Sequence, residues 1–119
     1  MSPKDRSTVN LVPDYKLWFE QNGQYIFGPG AYAILKSINE EGTITKGAMK
    51  LKMSYRYAWG VIKKIEKQLG ITLVETFKGG TEGGGGARIT EQGLKLMEMY
   101  ADINRAFRSV LDNANSLNL

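Results

Sequence analysis

The side chains of this sequence best placed to do chemistry are seven cations between positions 43 and 69. Lys46, Lys50, Lys52, Arg56, Lys63, Lys64 and Lys67 stand there against one carboxylate, Glu66, giving a local charge of +6 in a 119-residue chain whose total is +4. A basic block in an otherwise slightly acidic protein is what contact with a phosphate backbone requires, although a solvated lysine-rich helix face has the same composition. Arg56 carries a rigid fork that matches the O6 and N7 of guanine, while Lys63, Lys64 and Lys67 are point charges suited to phosphates. Catalysis has little to work with. The sequence holds neither cysteine nor histidine, which removes thiolate nucleophiles, imidazole bases and zinc-finger ligand sets. The carboxylates Glu40, Glu41, Glu75, Glu82 and Glu91 are scattered over caps and loops, with no pair brought together for acid and base work. The expectation is therefore a binding protein, with no enzymatic activity, no metal and no cofactor.

Local signals give the elements that must position these cations. Tyr15, Leu17 and Phe19 alternate up to Asn22-Gly23, and Tyr25 and Phe27 resume beyond it; Asn-Gly between alternating apolar runs predicts a two-residue hairpin turn. Pro29 opens a first helix carrying Ala31, Ile34, Leu35 and Ile38, which Glu40, Glu41 and Gly42 close. Thr45 is expected to cap a short second helix with Ala48, Met49 and Leu51, ending near Lys52 or Met53. Ser54 then caps a third helix that runs to Gly70. At 100° per residue, Ala58, Val61, Ile62, Ile65 and Leu69 share one face, while Arg56, Gly60, Lys63 and Lys67 share the other.

Ser54, Tyr55, Arg56 and Tyr57 occupy the first turn of that helix, where side chains reach base edges and the helix dipole favours phosphate. Tyr55 and Tyr57 flank the basic face, and Trp59 is expected to pack between helices. Gly60 costs a helix about 1 kcal/mol relative to Ala, which fits close approach of the backbone to a partner. Ile71 to Phe77 and Ala87-Arg88-Ile89 form an antiparallel pair joined by a loop, Lys78 to Gly86, that holds six glycines. Lys78 and Arg88 bracket this loop and are candidate phosphate contacts. It is not a nucleotide cradle, because no Gly-Lys-Ser/Thr follows Gly83 to Gly86. Thr90 caps a long last helix in which Leu96, Tyr100, Ile103, Phe107, Val110, Ala114 and Leu117 follow a 4-3 spacing, beside a second strip of Leu94, Met97 and Ala101. One small domain can cover only one of the two strips, so a homodimer interface through Leu96, Tyr100, Ile103, Phe107 and Val110 is expected.

This order of elements predicts an α+β, mainly α fold: a winged helix-turn-helix with an N-terminal β-hairpin and a long C-terminal dimerisation helix. The expected organisation is a loose tail over residues 1–13, a DNA-binding domain over 14–89, and a dimerisation helix with a C-terminal tail over 90–119. Three stretches, LWFEQNGQYIFGPG (17–30), MSYRYAWGVIKKIEKQL (53–69) and above all GGTEGGGGARITEQG (79–93), resemble the N-terminal DNA-binding domain of the ModE-type molybdate-responsive regulators, itself similar to the LysR-type winged helix. The resemblance implies that the helix matching residues 54–69 reads DNA and that the flanking helices pair two subunits. ModE-type regulators also carry a C-terminal molybdate-binding module, whereas this sequence stops at Leu119. No oxyanion site is carried over, and a stand-alone DNA-binding member from a prokaryote is expected.

The partner implied is double-stranded DNA, read by a cytoplasmic homodimer that regulates transcription, with the small-molecule effector unspecified. Two other roles use the same fold: an architectural DNA-binding protein of low sequence specificity, and a protein-interaction module that docks through the heptad helix. The concentrated basic charge argues against the last. No signal-like or membrane-spanning apolar run is present.

Overall fold

A computed structural model describes residues 9–79, 85–114 and 117–118. Within it, β2 (Phe19–Gln21) and β3 (Gln24–Phe27) form the expected hairpin. Asn22 and Gly23 both adopt positive φ, 52° and 79°, as this tight turn demands. Pro29 starts α1 (Pro29–Glu41), and Gly42 stops it in the left-handed region at φ 84°, its N–H bonded to the Ile38 carbonyl. The capping residue of α2 (Ile44–Lys50) is Thr43 rather than Thr45: its hydroxyl accepts from the Lys46 N–H at 3.0 Å. Because Gly42 ends α1, Thr43 is the first extended residue, and burial of Ile44 starts the helix there. The buried face of α2 is Ile44, Gly47 and Ala48, which leaves Met49 exposed.

Ser54 caps α3 (Tyr55–Leu69) through the Tyr57 N–H at 3.0 Å, and Gly70 closes it at φ 69°. The wing strands β4 (Val74–Phe77) and β5 (Gly86–Ile89) pair antiparallel, Val74 opposite Ile89 and Phe77 opposite Gly86. The strand begins at Val74 rather than Ile71, and at its start the Leu73 and Val74 amides donate to the Glu66 carboxylate, at 2.7 and 3.1 Å. The Ala87 N–H bonds to the Gly42 carbonyl at 2.8 Å and so ties the wing to the α1–α2 junction. The central part of the glycine loop, 80–84, lies outside the described residues.

Thr90 caps α4 (Glu91–Asn113) through the Gly93 N–H and donates its own hydroxyl to the Thr72 carbonyl at 2.6 Å. Tyr100 is the hub of the core beneath this helix. Its ring meets Phe19, Phe27 and Tyr32 at 4.9–5.5 Å, and its hydroxyl donates to the Leu17 carbonyl at 3.0 Å. Burial holds this phenol above its usual titration range, so it remains a neutral donor. Two expectations about the chain ends are corrected. Of the supposed loose tail, 1–8 lies outside the described residues, whereas β1 (Asn10–Leu11) pairs with β6 (Leu117–Asn118). The helical 4-3 pattern accordingly stops before Leu117: Ala114 is extended, and the Asn-Ala-Asn-Ser run from Asn113 contains three weak helix formers.

Two helical glycines are required by close packing. A β-carbon at Gly47 would lie 2.8–3.0 Å from Ile38, and one at Gly93 would lie 2.7 Å from the Leu73 carbonyl and 2.6 Å from the Ile89 side chain. An exposed Gly→Ala change inside a helix ordinarily stabilises by about 1 kcal/mol. Gly93→Ala is expected to do the reverse, lowering stability by roughly 1–3 kcal/mol through overpacking against backbone, as measured by urea denaturation.

Candidate nucleic-acid interface

Helix α3 buries Ala58, Ile62 and Ile65 and exposes Arg56, Gly60, Lys63, Lys64 and Lys67, so both faces lie where the sequence spacing put them. The short α2 and the turn through Lys52, at φ 60°, brace it; this turn is closed by the Lys52 and Met53 N–H groups bonding back to Met49 and Ala48. Tyr55 and Tyr57 stand exposed in the first turn. Trp59 is half-buried, stacked on Tyr55 with ring centres 6.4 Å apart, and carries the Lys63 ammonium 4.7 Å above its ring.

The seven cations of the basic block are not equivalent. Lys50 bonds to Glu40 at 2.8 Å and lies 3.6 Å from Glu41, both at the end of α1. The Lys36 and Lys50 ammonium groups hold the Glu40 carboxyl down at about 2. Lys63 bonds to Glu66 at 3.0 Å. Among the described residues, Lys46, Lys52, Arg56, Lys64 and Lys67 have no carboxylate within salt-bridge distance. On the wing, Arg88 lies 3.6 Å from Glu75 across the strand pair and 5.4 Å from the Phe77 ring, and Lys78 is exposed at the end of β4.

A groove of about 590 Å³ runs between α2, the start of α3 and the wing, lined by Thr43, Thr45, Lys46, Tyr55, Phe77 and Lys78 among others. It brings Lys78 together with Tyr55, and it adds Thr45 and Lys46, which the sequence reading did not single out as contacts. Lys46 was visible there only as part of the charge block, because its place beside the wing depends on how the wing folds back. Arg56, Lys63, Lys64 and Lys67 do not line this groove; they spread along the outer face and flank of α3.

Glu66 was also missed as a structural group. It sits in the last turn of α3, where the helix dipole disfavours negative charge, and it is almost fully buried. Burial raises its pKa, but hydrogen bonds from the Leu73 N–H, the Lys63 ammonium and the Val74 N–H outweigh that effect, so the net shift is downward.

A basic-faced helix after a sharp turn, flanked by a two-stranded wing, defines a winged helix-turn-helix DNA-binding domain. Residues 30–94 match the family described as "Bacterial regulatory helix-turn-helix protein, lysR family", and the chain belongs to that family. The transcriptional regulator ModE of Yersinia pestis is 39% identical over 72 residues, 60% of this chain and 27% of that protein. The DNA-binding transcriptional dual regulator ModE of Escherichia coli K12 is 35% identical over 94 residues, 76% of this chain and 36% of that protein. The chain thus spans about a third of the length of these relatives, and its DNA-binding domain is ModE-like. ArgP from Mycobacterium tuberculosis has the same fold, with a TM-score of 0.54 at 23% identity, over 71% of this chain and 29% of that one. Among the described residues, no helix is long and apolar enough to cross a membrane.

A depressed carboxylate contributes stability that is complete above the unfolded-state pKa and disappears as pH falls through the folded one. Urea denaturation at pH 7 and pH 3 should therefore show native protein losing more stability on acidification than Glu66→Gln. Glu66→Ala should cost about 1–3 kcal/mol at pH 7, because it strands the Leu73 and Val74 amides.

Proposed function

We propose that the chain acts as a homodimeric, sequence-specific regulator of transcription on double-stranded DNA. Helix α3 enters the major groove N-terminus first, Arg56 reads a base edge, and Ser54, Tyr55 and Tyr57 contact the groove rim. Lys63, Lys64 and Lys67 hold phosphates, and the wing grips backbone or minor groove through Lys78 and Arg88. The observation that carries this reading is the outer face of α3, where Arg56 and Lys67 stand without carboxylate partners among the described residues, on either side of Gly60. A β-carbon at Gly60 would meet nothing within 4 Å among the described residues, so the glycine serves no packing need there. The names of the relatives, transcriptional regulators, support the same role.

The dimer part of the proposal rests on α4. Leu96 and Tyr100, expected at the interface, instead pack on the domain's own core. The strip left for a partner is therefore Ile103, Phe107 and Val110, exposed by 38%, 50% and 65%. Tyr15 covers one edge of it, its ring 5.7 Å from Phe107. In the dimer, two copies of this strip meet and the two α3 helices lie about one turn of DNA apart, ~34 Å.

Two measurements test these parts separately. Fluorescence anisotropy on promoter and mixed-sequence duplexes across a salt series should show Arg56→Ala losing about 1–3 kcal/mol on the preferred site and discriminating less, while Lys67→Ala weakens all duplexes and lowers the salt slope by about 1. Gly60→Ala should melt higher yet bind DNA more weakly. Equal affinity of the native protein for every duplex would assign the architectural role instead, and no binding at low salt would end the DNA reading. Analytical ultracentrifugation should show a native dimer, and a monomer of similar secondary structure for Phe107→Glu with Val110→Glu.

A further inference from the structure

A second concavity, of about 310 Å³, lies on the flank of α3 away from the wing, between the hairpin and the start of α1. Its floor is apolar, formed by the buried Ile26, Ile34 and Ile65 with the half-buried Val61. Tyr25 and Tyr57 provide aromatic walls, and Lys64 and Gln68 supply the polar groups. The Tyr25 wall is fixed before any ligand arrives: its ring stacks on Trp18 at 6.2 Å, and the Lys16 ammonium lies 5.9 Å from its centre. Gly28 makes room for its hydroxyl, since a β-carbon there would lie 1.8 Å from that oxygen.

We infer that this pocket binds a planar aromatic carboxylate, with the ring between Tyr25 and Tyr57 on the isoleucine floor and the carboxylate on Lys64. Its size falls at the small end of ligand sites, which typically combine an apolar lining with a few placed polar groups. Charge complementarity selects an anion: Lys64 has no carboxylate within salt-bridge distance among the described residues, and no acidic side chain lines the pocket. Two phenol rings in the lining favour a flat ring over an aliphatic chain, through offset stacking. The site is argued from its own geometry, and it shares Lys64 and Tyr57 with the proposed DNA contacts, so the free protein is the state in which it is open to a ligand.

The test is a titration of the full, isotope-labelled chain with indole-3-carboxylate and, separately, with neutral indole, followed by amide chemical shifts in the absence of DNA. The carboxylate should shift Tyr25, Ile26, Ala31, Val61, Lys64 and Gln68 in one saturable process and bind more tightly than indole. Lys64→Met, a change at an exposed position, should weaken the carboxylate about five- to tenfold and leave indole unchanged. Ala31→Phe, which fills the pocket, should abolish both; where it fails to fold, the Lys64→Met comparison decides alone. Absence of localised shifts at millimolar ligand, equal affinity for indole, or an unchanged carboxylate affinity in Lys64→Met would overturn the inference. Because no DNA is present, any of these results leaves the DNA-binding proposal untouched.

Discussion

A single buried carboxylate joins the two halves of the DNA-binding unit. Glu66 projects from the last turn of α3 and accepts from the Leu73 and Val74 amides, at the entry to the wing. Charge-assisted bonds to two backbone amides are strong enough to hold a carboxylate in an environment that both burial and the helix dipole disfavour. The consequence is geometric. The orientation of β4, and with it that of the whole wing, is referred to the axis of the helix that carries Arg56. The other oxygen of Glu66 bonds Lys63, so the clamp also sets one cation of the basic face and leaves Arg56 and Lys67 outside it.

The remaining contacts extend that frame. The bond from the Ala87 N–H to the Gly42 carbonyl secures the second wing strand to the α1–α2 junction. Close approach at Gly93 seats α4 against Leu73, the same residue whose amide Glu66 binds. Tyr100 then anchors α4 to the hairpin through the Phe19 and Phe27 rings and the Leu17 carbonyl, and to α1 through the Tyr32 ring. The groove that collects Thr45, Lys46, Tyr55 and Lys78 exists because α2, α3 and the wing are held together by these few bonds.

Helix α4 divides its apolar residues between two tasks. Leu96, Met97 and Tyr100 serve the core, whereas Ile103, Phe107 and Val110 continue past it and stay exposed, with Tyr15 against Phe107 among the described residues. A helix that outruns its own domain carries its apolar strip into solvent or onto a partner, and the strip left free here is shorter than the heptad spacing suggests. Its backbone also ends at Asn113, where the chain turns extended and β6 returns to pair with β1.

The sequence by itself determined most features that depend on near neighbours. Asn22-Gly23 specified the hairpin, Pro29 and Gly42 bounded α1, Ser54 and Gly70 bounded α3, Thr90 opened α4, and the 100° spacing separated the buried from the basic face of α3. These follow from backbone preferences and side chains within a few residues of one another, so they are legible without the fold. The choice of Thr43 over Thr45 as the cap of α2 was local too, but two threonines two residues apart carry the same signal; tertiary structure alone decided the rest: Glu66 as the clamp, Lys50 held by Glu40, Tyr100 inside its own core, and Lys46 beside the wing. Each of these depends on which elements meet in space, and a carboxylate or a lysine has the same local signature whether it faces water or a buried amide.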